Sequence, residues 1–271
     1  MAVRSPILNV MGNAALKAAR GLIRDFGEVE HLQVSVKGTG EFVSTADLKA
    51  ERTLKAELKK ARPGYAMLFE EGGAEPGSDA RHRWIVDPLD GTTNFLHGIP
   101  HFAISIALER DDEIVAGVVY EPIRDEMYWA EKGAGAYVND RRLRVSARRQ
   151  LAEAVIGTGI PYGDRADDQA YMATLASVMA ATSGVRRMGA AALDLAYVAA
   201  GRYDGFWEFG LSPWDIATGI LLVREAGGYV SDMAGGHGMM ASGDVVAAND
   251  HLHLPLAAVI KEAVRGSRKA S

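Results

Sequence analysis

The chain contains no cysteine, which excludes disulfides, thiolate zinc sites and a cysteine nucleophile together. Any metal must be held by oxygen or imidazole. It also lacks a long run of lysine or arginine and carries a net charge of -5, so the electrostatic footprint of a protein that grips nucleic acid by its phosphates is missing. No direct nucleic-acid binding is expected. The one basic stretch, Arg141, Arg142, Arg144, Arg148 and Arg149, reads as a solvated face or, alternatively, a contact for a partner or substrate. Apolar runs such as 103–108 and 219–223 are too short to cross a bilayer. Residues 1–27 mix Leu and Ile with Arg, Lys and Asp, as an amphipathic helix does and a signal peptide does not. A soluble, cytoplasmic protein with no membrane partner is expected. Repeats and low-complexity tracts are absent too.

What is present is ordinary globular composition, with 48% hydrophobic and 24% charged residues. At 271 residues the chain can bury a substantial core. We expect one catalytic unit over 1–271, softly divided near 139–150 into an α+β half (1–145) and an α/β half (146–271). Helices are expected over 6–25 and over 46–61, the second capped by Ser44 or Thr45 and stopped by Pro63-Gly64. Strands are expected near 33–36, at 65–69 and at 84–86, with a Gly- and Lys-containing loop running to Glu41. Segments 103–109, 114–120 and 126–130 read as an antiparallel meander. Thereafter Ala-rich helices at 167–181, 190–200 and 214–226 alternate with short strands near Val155, Phe206, Tyr229 and Val245. The class is α/β or α+β.

The most informative stretch is Trp84-Ile85-Val86-Asp87-Pro88-Leu89-Asp90-Gly91-Thr92-Thr93-Asn94-Phe95. An apolar strand runs into an aspartate, and Pro88 is expected to end the ladder in a turn. Two carboxylates three residues apart across such a turn can converge, and their repulsion calls for a hard cation such as Mg²⁺. Gly91-Thr92-Thr93 reads as an opening helical turn, whose backbone N–H groups suit a phosphate oxygen. Phe69-Glu70-Glu71-Gly72 places further acids where a strand stops, with Gly73 in a mobile-looking loop, and Trp214-Asp215 sets an aspartate in the first turn of an apolar helix. Singly, these acids fit turn caps, surface charges or partners of a helix dipole equally well. The D-x-D-x-T pattern of phosphatases with an aspartate nucleophile does not fit the D-P-L-D-G-T spacing. His97 and His101 are spaced like a helical metal pair, but Gly98 and Pro100 between them point to loop roles.

Together, Glu70, Asp87-x-x-Asp90-Gly91-Thr92 and Trp214-Asp215 resemble the signature of the inositol monophosphatase family. The likeness extends through Thr45-Ala46-Asp47 and the block from Gly189 to Glu208, which looks most like the bacterial branch. The resemblance implies a layered αβαβα sandwich of the type shared with fructose-1,6-bisphosphatase, assembled as a homodimer. It implies Mg²⁺-dependent, Li⁺-sensitive hydrolysis of a small phosphate ester. Glu70, Asp87 and the Leu89 carbonyl would hold one ion, and Asp87, Asp90 and Asp215 a second, with a third near Glu70 once substrate binds. Asp47 and Thr92, with Glu70, would serve the attacking water. Gly91 and Thr92 would cradle phosphate, and Asp90, Ala190, Ala191 and Glu208 would meet the substrate. A carboxylate at Glu208 suits polyol hydroxyls, making a myo-inositol monophosphate the leading substrate. Histidinol phosphate, fructose 1,6-bisphosphate and a 3′-phosphoadenosine nucleotide are the alternatives, with the pocket around Glu208, Ala190 and Tyr162 deciding between them. Ala190 stands where relatives often have Ser or Thr, and Lys37 resembles a position at the mouth of the site. Some bacterial relatives touch the transcription machinery, which sets a binding role beside the enzymatic one.

Overall fold

The computed structural model describes residues 4–28, 34–38, 41–161 and 168–270, and the side chains among them except those of 34–43, 168 and 268–270. Helix α1 (Pro6–Phe26) starts on a Ser5 cap with Pro6 in its first turn and buries Leu8, Met11, Ala15, Ala18 and Leu22 along one stripe. Strands β1 (Val34–Gly38) and β2 (Glu41–Ser44) pair antiparallel. The expected loop running to Glu41 is narrowed to residues 39 and 40, which lie outside the described residues. Helix α2 (Thr45–Ala61) is capped by Ser44 and stops just before Pro63.

An eight-stranded sheet follows, in the order β10-β9-β8-β7-β6-β5-β3-β4. It is built from β3 (Tyr65–Phe69), β4 (Gly73–Glu75), β5 (Asp79–Asp90), β6 (Ala103–Arg110), β7 (Glu113–Glu121), β8 (Glu126–Glu131), β9 (Gly135–Val138) and β10 (Arg141–Arg142). From β5 to β10 it is an antiparallel meander, whereas β3 runs parallel to β5. Short helix α3 (Thr92–Leu96) interrupts the meander after β5.

The second sheet, β12-β11-β13-β15-β14, draws on β11 (Val155–Thr158), β12 (Gly184–Arg186), β13 (Gly205–Glu208), β14 (Tyr229–Ser231) and β15 (Val245–Ala248). Its helices are α4 (Asp168–Ala181), α5 (Ala191–Ala199), α6 (Pro213–Glu225), the single turn α7 (Met239–Ser242) and α8 (His253–Ala270), which the sequence reading did not anticipate.

The layers follow from what each element buries. Helices α1 and α2 cover one face of the large sheet; α5 and α6 fill the space between the sheets; α4 and α8 close the far face of the small sheet. Apolar clusters occupy these spaces: Leu22, Leu54 and Trp84 in the first, Leu195, Ile216 and Leu222 in the second, Ile156, Trp207 and Leu256 in the third. This is the layered αβαβα sandwich. The fully buried helix α5 reads Ala-Ala-Leu-Asp-Leu-Ala-Tyr-Val-Ala because it lies between two sheets. Among the described residues no helix is long and apolar enough to span a membrane.

Candidate active site

Parallel pairing of β3 with β5 brings the first acids together. Phe69 lies opposite Val86, so Glu70 and Asp87 leave adjacent strands side by side, and the Glu70 N–H donates to the Val86 carbonyl at 3.3 Å. Beyond this point β5 carries an extra residue: Asp87 pairs with Ser105 and Asp90 with Ala103. Residues three apart on a regular strand face opposite ways. A one-residue bulge resets that alternation and lets Asp87 and Asp90 face the same side. Pro88 fits here because it has no N–H to give to a ladder. The expectation that Pro88 ends the strand in a turn is therefore corrected: pairing resumes at Asp90. Gly73 is likewise paired, with Phe69, in a tight hairpin and not in an open loop.

Helix N-termini meet these strand ends. Asp90 Oδ2 accepts the Ala192 N–H of α5 at 2.9 Å. Asp215, in the first turn of α6, accepts the Ser212 N–H at 2.7 Å. Asp47, in the first turn of α2, takes the Ser44 N–H at 2.9 Å and the Ser44 hydroxyl at 2.5 Å on Oδ2. The Thr92 hydroxyl lies 3.0 Å from both Asp47 Oδ1 and the Leu89 carbonyl oxygen; its single proton can serve one of them at a time. Helix N-termini favour negative charge, which is why the chain can concentrate carboxylates here. Gly91 opens α3 at φ +89°, and a Cβ on it would come 3.0 Å from the His101 carbonyl and 3.3 Å from Ala190 Cβ. The Asn94 amide donates to the carbonyls of His101 (2.8 Å) and Met188 (2.7 Å), tying this segment to the approach of α5.

The carboxylates are crowded electrostatically. Asp87 is 2% exposed, and burial, then the charges of Glu70, Asp90 and Asp215, push its carboxyl well above the usual range. Asp90 is pushed up to about 7 by burial and by Asp215, against the opposing pull of the Ala192, Leu193 and Ala191 N–H groups. Burial also raises Asp47, opposed by its hydrogen bonds from Ser44 and Thr92. Glu70 and Asp215 are half-buried. Among the described residues no three His, Asp or Glu side chains close up into a ready-made ligand set, as befits like charges fastened separately to backbone. The donor set is all oxygen and mostly carboxyl, which fits Mg²⁺ and fits a soft or thiophilic metal poorly.

Glu208, Ala190 and Ala191, the residues expected to meet substrate, lie at the end of β13 and the start of α5. The Glu208 carboxylate occupies the space where a Cβ on Gly159 would sit, 2.1 Å away, so a side chain there would displace it. Ala190 and Ala191 are buried at the start of α5. Tyr162 and the Lys37 side chain lie outside the described residues. His97 and His101 do not form a pair: exposed His97 caps its own turn through the Thr93 carbonyl (2.8 Å), whereas buried His101 has neither ring nitrogen hydrogen-bonded and is pushed down to about 4 by burial and Arg124. Arg141, Arg142, Arg144, Arg148 and Arg149 are exposed, with Arg148 paired to Asp204 at 3.2 Å.

Three features escaped the sequence reading. Thr218, one turn after Asp215, accepts a hydrogen bond from the Ser105 hydroxyl at 3.1 Å, and Ser105 is the ladder partner of Asp87. Asp194 is buried in α5 near Glu208 and Asp90, and burial followed by those charges raises it well above normal. Glu51 lies one turn after Asp47 on α2, at the helical i+4 spacing that would have placed both on one face.

Residues 4–265 match the model of the inositol monophosphatase family. An inositol-1-monophosphatase of Mesorhizobium japonicum is 62% identical over 259 residues, covering 96% of this chain and 97% of the relative. The Nus factor SuhB of Pseudomonas aeruginosa is 48% identical over 248 residues, covering 90% and 92%. The crystal structure of the extragenic suppressor protein suhB of Bartonella henselae superposes with a TM-score of 0.93 at 56% identity, covering 95% of this chain and 99% of that one.

Proposed function

Since the chain belongs to the inositol monophosphatase family and is a phosphatase, we propose that it hydrolyses a myo-inositol monophosphate, or a similar polyol phosphate, with Mg²⁺ and direct attack by water. The observation that carries this is the set of buried Asp87 and Asp90 with Glu70 and Asp215 beside them, carboxyls raised first by burial and then by the neighbouring negative charges. Glu70, Asp87 and the Leu89 carbonyl would hold one Mg²⁺, Asp87, Asp90 and Asp215 a second, and the neighbourhood of Glu70 a third. Bound there, the ions supply Lewis acidity toward water and toward the departing ester oxygen.

The chain's own residues do the rest. Asp47 and Thr92 share a hydrogen bond at 3.0 Å, so the hydroxyl can orient a water while the carboxylate, made more basic by burial, takes up its proton. The N–H groups of Gly91 and Thr92 face the phosphate, and Glu208 with backbone at Ala190 and Ala191 receives the polyol hydroxyls. Water adds to phosphorus as the ester oxygen leaves, so no phosphoenzyme forms. Inhibition by Li⁺, a homodimer and a cytoplasmic location accompany this proposal.

Comparison of kcat/KM on inositol monophosphates, histidinol phosphate, fructose 1,6-bisphosphate and a 3′-phosphoadenosine nucleotide at saturating Mg²⁺ tests the substrate. Full activity after EDTA treatment, or retention of configuration at a chiral phosphorus, would refute the mechanism. The Nus factor name of the Pseudomonas relative raises a second role, contact with the transcription machinery. Persistence of a cellular phenotype in a phosphatase-dead Asp87→Asn strain would support it.

A further inference from the structure

Helix α2 presents two carboxylates one turn apart. The first, Asp47, meets Thr92. The second, Glu51, is 8% exposed, and its Oε2 accepts the backbone N–H groups of Glu71 at 3.0 Å and Gly72 at 3.2 Å. These two amides immediately follow Glu70 at the end of β3. A Cβ on Gly72 would sit 2.6 Å from Glu51 Oε1, so the absence of a side chain there is what lets the carboxylate reach the chain. Glu51 touches neither the reacting atoms nor Glu70 itself in these hydrogen bonds. The geometry points to Glu51 as a positioning residue that fixes Glu70 relative to Asp47 and Thr92, making α2 the common template for the water-handling pair and for one edge of the cation site.

The physical basis is the hairpin that follows Glu70. It turns within three residues and holds its end by pairing Phe69 with Gly73. Without an acceptor at Oε2, the half-buried Glu71 and exposed Gly72 amides lose their partner and the turn can pivot about β3, moving Glu70. A charged acceptor shared by two N–H groups is among the stronger fastenings available to a loop, and outer-shell partners of this kind set metal affinity by about 10–100-fold.

The inference rests on Glu70 being a Mg²⁺ ligand, so the test carries that premise as its own arm. Mg²⁺ is titrated calorimetrically into substrate-free protein, and kcat and half-saturating Mg²⁺ are measured for wild type, Glu51→Ala, Glu51→Gln, Gly72→Ala and Glu70→Gln. Glu51→Ala and Gly72→Ala are each expected to weaken Mg²⁺ by about 10-fold or more, with kcat at saturating Mg²⁺ largely kept. Gln, which retains one oxygen for the two amides, restores most of the affinity. Faster hydrogen exchange at the Glu71 and Gly72 amides should accompany the loss. Wild-type Mg²⁺ affinity in Glu51→Ala or in Gly72→Ala overturns the positioning role, as does a fall in thermal stability and kcat with Mg²⁺ affinity unchanged. Unaltered Mg²⁺ binding in Glu70→Gln overturns the ligand premise instead. If Glu51→Ala does not fold, Gly72→Ala and Glu51→Gln decide the matter.

Discussion

Replacing Asp90 by Asn is expected to stabilise the metal-free protein while abolishing its activity. Burial and the Asp215 charge push the Asp90 carboxyl from 3.8 up to about 7, so the folded state holds a proton that the unfolded chain releases. A carboxyl raised in this way leaves stability intact below about pH 4 and removes it as pH rises through about 7. A rise of that size corresponds to roughly 4 kcal/mol lost above about pH 7.5. An amide keeps an oxygen for the Ala192 N–H but caps α5 less well than an anion shared by several amides, at a cost of about 1–2 kcal/mol. The remaining gain, roughly 2–3 kcal/mol, corresponds to about 4–10 °C in the unfolding midpoint of a chain of this size. Scanning calorimetry in EDTA should show this advantage at about pH 8 and show it vanish near about pH 4.5, where the wild-type carboxyl is protonated in the fold. Added Mg²⁺ should stabilise wild type more than the variant, which loses a ligand of the second site but keeps Glu70, Asp87 and the Leu89 carbonyl. A variant no more stable than wild type at the higher pH, or equally favoured at both, would show that burial and the Asp215 charge do not raise the Asp90 carboxyl.

Thr218→Val should leave the buried Ser105 hydroxyl without its partner and cost about 1–3 kcal/mol, read from urea unfolding, with Thr218→Ser recovering most of it. His101→Phe should remove an acid-sensitive step. Because burial lowers that imidazole from 6.5 to about 4, wild-type stability is present above about pH 6.5 and falls by up to roughly 3 kcal/mol as pH drops toward 4; the variant should lack this part of the slope. Gly91→Ala should cost about 1–2 kcal/mol from left-handed backbone alone, and also move Ala190 or His101, so kcat/KM measured under saturating Mg²⁺ should fall further than stability does.

The local structure of this chain was largely legible because its signals are local. Ser44, Pro63 and the apolar stripe of α1 act within a turn or two of themselves, and the meander strands are punctuated by their own turns. The missed pieces depend on pairing with distant segments. β2 forms because β1 offers it a ladder, and the strand through Asp87 continues past Pro88 because Ala103 supplies a partner for Asp90. Neither signal exists within the segment itself.

For the site, the sequence by itself determined which acids were available and, through the D-P-L-D-G-T-T-N-F run and Trp214-Asp215, the family to which they belong. Only the tertiary structure decided how those acids are held. The register of β3 against β5 sets Glu70 beside Asp87, the bulge turns Asp90 to join them, and α5 brings the Ala192 amide to Asp90 from 102 residues away, whereas Asp215 is held by the Ser212 amide of its own helix cap. It also made participants of Glu51, Ser105 and Thr218, whose roles depend on partners that sequence spacing does not specify. The physical reason is that a carboxylate or hydroxyl acquires its function from the donors and charges around it, and most of those come from elsewhere in the chain.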